Sequence, residues 1–184
     1  MPSLDFHRRR RAALLASIEH PTLLMAGGFI PRNYPANVFP LRVDSTFLYF
    51  FADPEPDSAA LFDPATNRVT LFLHERTAED ALWHGPVPSF EEMKTRHGVD
   101  EVRPIESLED SVAEIAASRK VQSLAVPDPQ ATARAAKITG FPLNLFDAKN
   151  GFGPPELVDT VAKLRTCKEP EEIDEMRKTA AVTD

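Results

Sequence analysis

The chain has 184 residues, 42% of them apolar and 27% charged, with a formal net charge of −7. That length can bury a real core, and the composition is that of a globular protein, neither disordered nor membrane-spanning. The acidic balance argues against a nucleic-acid partner, which calls for a basic face to neutralise phosphates, and the longest apolar run, Thr46 to Ala52, is far shorter than the roughly 20 residues of a membrane helix.

Residues 4–19 read as a helix with Leu14, Leu15 and Ile18 on its apolar side. The basic run Arg8 to Arg11 predicts a solvated face or a subunit contact. Neither a long apolar segment nor a small-residue cleavage site follows it, so no secretory leader is read and a cytoplasmic address is expected. Thr22 to Ala26 is a short buried strand running into Gly27-Gly28. From Phe29 to Leu41, three prolines and two asparagines predict a long irregular loop.

Three strands are then expected in series, at Thr46 to Ala52, Ser58 to Phe62 and Arg68 to Leu73. The aspartate- and proline-rich turns between them favour an antiparallel meander. Ser89-Phe90-Glu91-Glu92 and Ser107-Leu108-Glu109-Asp110 each fit a capping box that opens a helix, the second carrying Val112, Ile115 and Ala116 on one face. Val121 to Val126 reads as a buried strand, Pro129 to Ile138 as a helix and Leu143 to Phe146 as a last strand. Strands and helices mixed in this way give an α/β, three-layer domain with a mixed β-sheet flanked by helices.

Asn150-Gly151-Phe152-Gly153-Pro154-Pro155 marks a break, so residues 1–152 are read as one domain and 153–169 as a linker with an amphipathic segment from Glu156 to Arg165. A last helix opens at Glu169-Pro170-Glu171-Glu172, where proline suits the first helical position and carboxylates suit the positive end of the dipole. Its apolar face, Ile173, Met176, Ala180 and Ala181, runs to the end of the sequence without a stop signal, as expected of a helix cut short.

Catalytic motifs are sparse. His7, His20, His74, His84 and His97 show no zinc-binding spacing and read as scattered surface histidines. Cys167, the single cysteine, excludes an internal disulfide and reads as a free thiol in a linker. There is no nucleophile elbow, phosphate loop or dinucleotide fingerprint, and a lone Gly-Gly serves a turn more often than a ligand. Two stretches stand out. In Leu41 to Tyr49, Arg42 and Asp44 sit at the mouth of an aromatic run, where Arg42 can pin the long loop through carboxylate or backbone oxygens and the pair can organise a turn. In Ala81-Leu82-Trp83-His84-Gly85-Pro86, the only tryptophan either caps a core or projects into a partner, and composition favours the core.

These residues carry a resemblance to the N-terminal domain of aminopeptidase P, in the pita-bread metallopeptidase group. The matching pieces are Phe6, Arg9, Arg10 and Leu14, then Arg32-Asn33, then Phe39, Arg42, Asp44, Ser45, Phe47 and Tyr49. Pro54-Glu55-Pro56, Leu71-Phe72 and Glu79, Trp83, Gly85 continue it. Leu164-Arg165, Lys168, Pro170, Glu172-Ile173 and Met176-Arg177 match the segment that opens the catalytic domain of that family.

The resemblance implies that residues 170–184 begin a pita-bread domain whose two metal ions, usually manganese, are bound beyond this chain. No catalytic residue or metal ligand is then expected here, and the chain by itself is expected to be inert. Implied partners are its own catalytic domain, further copies in a homo-oligomer and, for the whole protein, a peptide substrate, with no nucleic acid and no membrane. Arg42, Asp44, Ser45 and Tyr49 form a structural motif, and Trp83 is implied to reach a neighbouring subunit's pocket beside the substrate proline. The sequence departs from the family pattern at Val43, where glutamine is common, and at His84, where an aromatic is common. A prolidase or creatinase relative shares this arrangement, and a stand-alone binding module of the same fold is the alternative from a different class; the opening Phe-x-x-Arg-Arg leans toward aminopeptidase P.

Overall fold

A computed structural model describes residues 3–147 and 151–183, apart from the side chains of Ala78, Trp83, His84 and Thr183. Five strands form the main sheet: β1 (Thr22–Met25), β4 (Ala59–Asp63), β5 (Arg68–Leu73), β6 (Glu101–Pro104) and β7 (Gln122–Ser123), in the order β6-β5-β4-β1-β7. The inner pairings β1–β4 and β4–β5 are antiparallel, whereas β5–β6 and β1–β7 at the edges are parallel, so the sheet is mixed.

Side chains alternate across this sheet with period two and feed two cores. Leu24, Ala60, Phe62, Val69, Leu71 and Leu73 point to one face, which is covered by α1 (Leu4–Ser17), α2 (Ser45–Phe50), α4 (Phe90–His97) and α7 (Pro155–Thr166). Leu23, Met25, Ala59, Leu61 and Phe72 point to the other, under α5 (Leu108–Ala116) and α6 (Pro129–Thr139). The short helix α3 (Ala78–His84) precedes α4, and α8 (Pro170–Thr183) follows α7. The expected three-layer fold, a mixed sheet between helices, is the fold observed.

The stretch from Thr46 to Ala52 is a helix, not the strand expected of it. The Asp44 carboxylate accepts from the backbone N–H of Thr46 (2.7 Å) and of Phe47 (3.0 Å), an N-cap that starts α2. Phe47, Phe50 and Phe51 then fall on one side at helical spacing and enter the first core. Seven apolar residues are too few for periodicity to separate strand from helix, and here the cap decides. The antiparallel meander consequently runs β1–β4–β5 in space.

Smaller differences follow the same logic. The loop after β1 holds an exposed hairpin, β2 (Pro31–Tyr34) with β3 (Asn37–Val38). Leu143 to Phe146 is not a strand, because the Phe152 carbonyl accepts from Ala125 N–H (2.8 Å) beyond the short β7. The capping box at Ser89 and Glu92 forms, but Ser107 turns its hydroxyl to the Pro104 carbonyl (2.8 Å), since a 3-10 turn over Ile105–Ser107 runs straight into α5. The segment read as a linker carries α7, whose Leu157 and Val161 lie in the first core.

Candidate functional site

The four arginines of α1 do not form a solvated face. Arg10 and Arg11 are buried, at 5% and 3% exposure. Arg11 donates to the carbonyls of Phe50 (2.8 Å), His97 (2.7 Å) and Gly98 (2.8 Å), joining the C-terminal ends of α2 and α4, where carbonyls lack helical partners and the helix dipole favours a cation. Burial pushes its pKa down to about 10, which leaves it charged at neutral pH. Arg8 lies across Gly98, whose left-handed backbone (φ +60) caps α4; a Cβ there would meet the Arg8 Nε at 2.3 Å.

Arg9 and Arg10 turn instead toward the start of α8. Arg9 donates to Glu169 (2.9 Å) and Glu171 (3.2 Å), and Ser3 donates to Glu171 from its backbone N–H (3.3 Å) and its hydroxyl (3.2 Å). The Arg10 guanidinium sits between the rings of Phe6 and Tyr49, 3.7 and 3.6 Å from their centroids, a cation–π sandwich. It donates to the Tyr49 carbonyl (3.2 Å), pairs with Glu172 and lies 3.6 Å from Glu169. Glu172 in turn accepts from the backbone N–H of Glu169 (3.0 Å). Residues about 160 positions apart in sequence thus meet in one clamp.

Tyr49 is its hinge pin. Besides stacking on Arg10, its hydroxyl donates to the Leu164 carbonyl at the end of α7 (2.6 Å), and burial raises its pKa. Beside it His7 is buried, with Nδ1 3.3 Å from the Tyr49 carbonyl and Nε2 without a hydrogen-bond partner among the described residues. Burial pushes the His7 imidazole below its ordinary pKa against the pull of that carbonyl, and Arg10 and Arg11 add to the effect. For Glu171 and Glu172 burial works the other way but is outweighed: bonds from Arg9 and Ser3, and from Arg10 and the Glu169 N–H, hold both carboxyls below the usual range. A cleft of about 490 Å³ opens beside the clamp, with His7, Ser45, Leu48, Glu172 and Met176 among its walls.

Of the residues singled out in the sequence, Asp44, Ser45 and Tyr49 come together on and before α2. Arg42 does not join them; it is exposed and has no hydrogen-bond or ion-pair partner among the described residues, so it does not pin the loop. Trp83 lies in α3, and its side chain is outside the described residues. Cys167 is free and exposed. The surface reading of the histidines fails for His7 and for His97, which is also buried. Among the described residues, no group of three or more His, Cys, Asp or Glu side chains is placed to hold a metal ion. Sequence reasoning noted both the arginine run and the Glu-Pro-Glu-Glu opening without pairing them; their opposite charge was the available signal.

The aminopeptidase P N-terminal domain model matches residues 7–124. The chain belongs to this family. As an aminopeptidase P N-terminal domain it is homologous to Xaa-Pro peptidases: it is 28% identical over 102 residues to the probable Xaa-Pro aminopeptidase pepP of Aspergillus fumigatus, covering 55% of this chain and 22% of that protein. It is 26% identical over 167 residues to the human Xaa-Pro dipeptidase, covering 88% of this chain and 32% of that one. The chain therefore spans between about a fifth and a third of the length of these relatives. In fold it is similar to aminopeptidase P from E. coli, with a TM-score of 0.77 at 21% identity over 97% of this chain and 42% of that one. Aminopeptidase PepP of Pseudomonas aeruginosa matches with a TM-score of 0.65 at 26% identity, over 84% and 35% respectively.

Proposed function

We propose that this chain is the non-catalytic N-terminal domain of a cytoplasmic, proline-specific metalloaminopeptidase that removes the first residue of peptides with proline second. The family match over residues 7–124 is the observation that supports this most. In this reading residues 1–152 serve oligomerisation and substrate access, 153–169 connect, and the helix from Pro170 begins the catalytic domain. Two manganese ions and their ligands belong to that domain. The donor set of the described residues does not fit a metal pair, so no catalytic step is assigned to them.

Trp83 is the one residue here given a role at the substrate, as an aromatic wall for the proline in a neighbouring subunit's pocket; a rigid ring is well suited to recognition by shape. The test is direct. The native gene product, detected in its source cells with an antibody to this chain, is expected to be more than twice as heavy as 20.4 kDa. Purified, it should release the first residue of Xaa-Pro peptides with manganese. A native product of 20.4 kDa without peptidase activity overturns the reading in favour of a stand-alone binding module.

A prolidase-type parent is the second reading, favoured by the broad alignment to the human Xaa-Pro dipeptidase, which takes in 88% of this chain. Xaa-Pro dipeptides against Xaa-Pro-Yaa tripeptides separate the two: an aminopeptidase P hydrolyses the tripeptide, a prolidase prefers the dipeptide.

A further inference from the structure

The clamp joins two groups that are each fixed before they meet. Arg10 is held on both faces by Phe6 and Tyr49 and along its edge by the Tyr49 carbonyl, so its direction is set by α1 and α2. Glu172 is fixed by the Glu169 N–H at the first turn of α8. Beyond that turn the helix is largely exposed, with Ile173 at 38% and Met176 at 60%, and its Arg177 and Lys178 pair with Asp174 and Glu175 of the same helix. A free helix of about 14 residues is marginal in water, because nucleation is unfavourable. Among the described residues, the contact at its start ties α8 to α1 and α2.

We infer that Arg10 and Glu172 form a positioning pair that nucleates α8 and sets the angle at which it leaves the domain. On the reading that α8 begins a catalytic domain, the same pair orients that domain over this one; this consequence rests on the proposed function, whereas the pair's action on α8 does not. The acidic side of the clamp faces Arg9, Arg10 and His7 from α1, Tyr49 from α2, Arg165 from the end of α7 and Lys168 from the connection to α8. These cations surround Glu169, just before α8, and Glu171 and Glu172 in its first turn.

Glu172→Gln keeps the shape and removes the charge, at a position on the rim of the cleft rather than in either core. Loss of a partly buried ion pair corresponds to a change of up to about fivefold in a local opening equilibrium. In backbone hydrogen exchange of the 184-residue chain, the amides of α8 are expected to exchange about two- to fivefold faster in Glu172→Gln, with the amides of α6 unchanged. Glu172→Asp, which keeps the charge, should recover most of the protection. Spin labels at Ser17 and Lys178, in a Cys167→Ser background, should give a narrow distance distribution that broadens in Glu172→Gln and in Arg10→Lys. Unchanged α8 exchange and label width overturn the inference, and so does an acceleration spread evenly through the domain, which would make Glu172 a support of the whole fold. Neither readout needs peptidase activity. Absence of activity in the wild-type gene product would defeat the proposed function while leaving this result standing.

Discussion

α7 and α8 are consecutive helices of 12 and 14 residues, each opened by a proline, yet different physics holds them to the domain. α7 places Leu157 and Val161 in the first core, at 1% and 5% exposure, and its last turn is tied to α2 through the Tyr49 hydroxyl. Among the described residues, α8 has no side chain in either core and is tied to α1 through charges at its start. Burying a large apolar side chain contributes about 1.5–3 kcal/mol. Exposed ion pairs such as those of Arg9 are screened by solvent and contribute little, and for the less exposed Arg10–Glu172 pair the gain is offset by the loss of hydration. Apolar burial makes a helix part of the cooperative unit; charge directs a helix that the unit can do without.

The sharpest way to break that comparison is to cut the apolar anchor. Leu157→Ala is expected to destabilise the chain by about 2–5 kcal/mol in urea unfolding, since a buried leucine leaves a cavity. Removing the guanidinium that joins α2 to α4 comes next. Arg11→Met strips three carbonyls of a charged donor and should cost about 2–3 kcal/mol.

Histidine titration gives a smaller, pH-dependent effect. Burial lowers the His97 pKa from 6.5 to about 4, with Arg96 adding to the shift, and His7 is displaced in the same direction. His97 stays neutral in the folded chain down to about pH 4, whereas the unfolded chain takes up protons as pH drops below 6.5. The His97 contribution is thus fully present above pH 6.5 and is lost as pH falls from there through about 4, and that of His7 declines in the same direction. Unfolding free energy should decline by about 1–2 kcal/mol from His97 between about pH 7 and 5, and His97→Phe should flatten that decline. Smallest of all, Ile173→Ala and Met176→Ala on α8 should change stability by less than about 0.5 kcal/mol.

Much of this architecture was legible in the sequence because period and turn chemistry are local. The strand at Arg68–Leu73 and the helix at Pro170 appear where the pattern puts them, and the capping box at Ser89 forms as written. What failed depended on contacts made elsewhere. Thr46 to Ala52 is aromatic and strand-like in composition, but Asp44 caps it and the sheet supplies a surface for one helical side of phenylalanines. Arg10 and Arg11 look solvated in a run of like charge, and only the fold brings the carbonyls, rings and carboxylates that let them be buried. The clamp was half visible: its basic and acidic blocks both stood out, while their pairing needed the return of the chain from α7. The place of the Trp83 ring is outside the described residues.

The most direct measurement is urea unfolding of a chain ending at Lys168, compared with the 184-residue chain. Without α8 the domain should keep its cooperative transition and lose less than about 1 kcal/mol, because only the ionic clamp is removed. A loss of several kcal/mol, as large as that of Leu157→Ala, would place α8 within the cooperative core and contradict the distinction between the two helices.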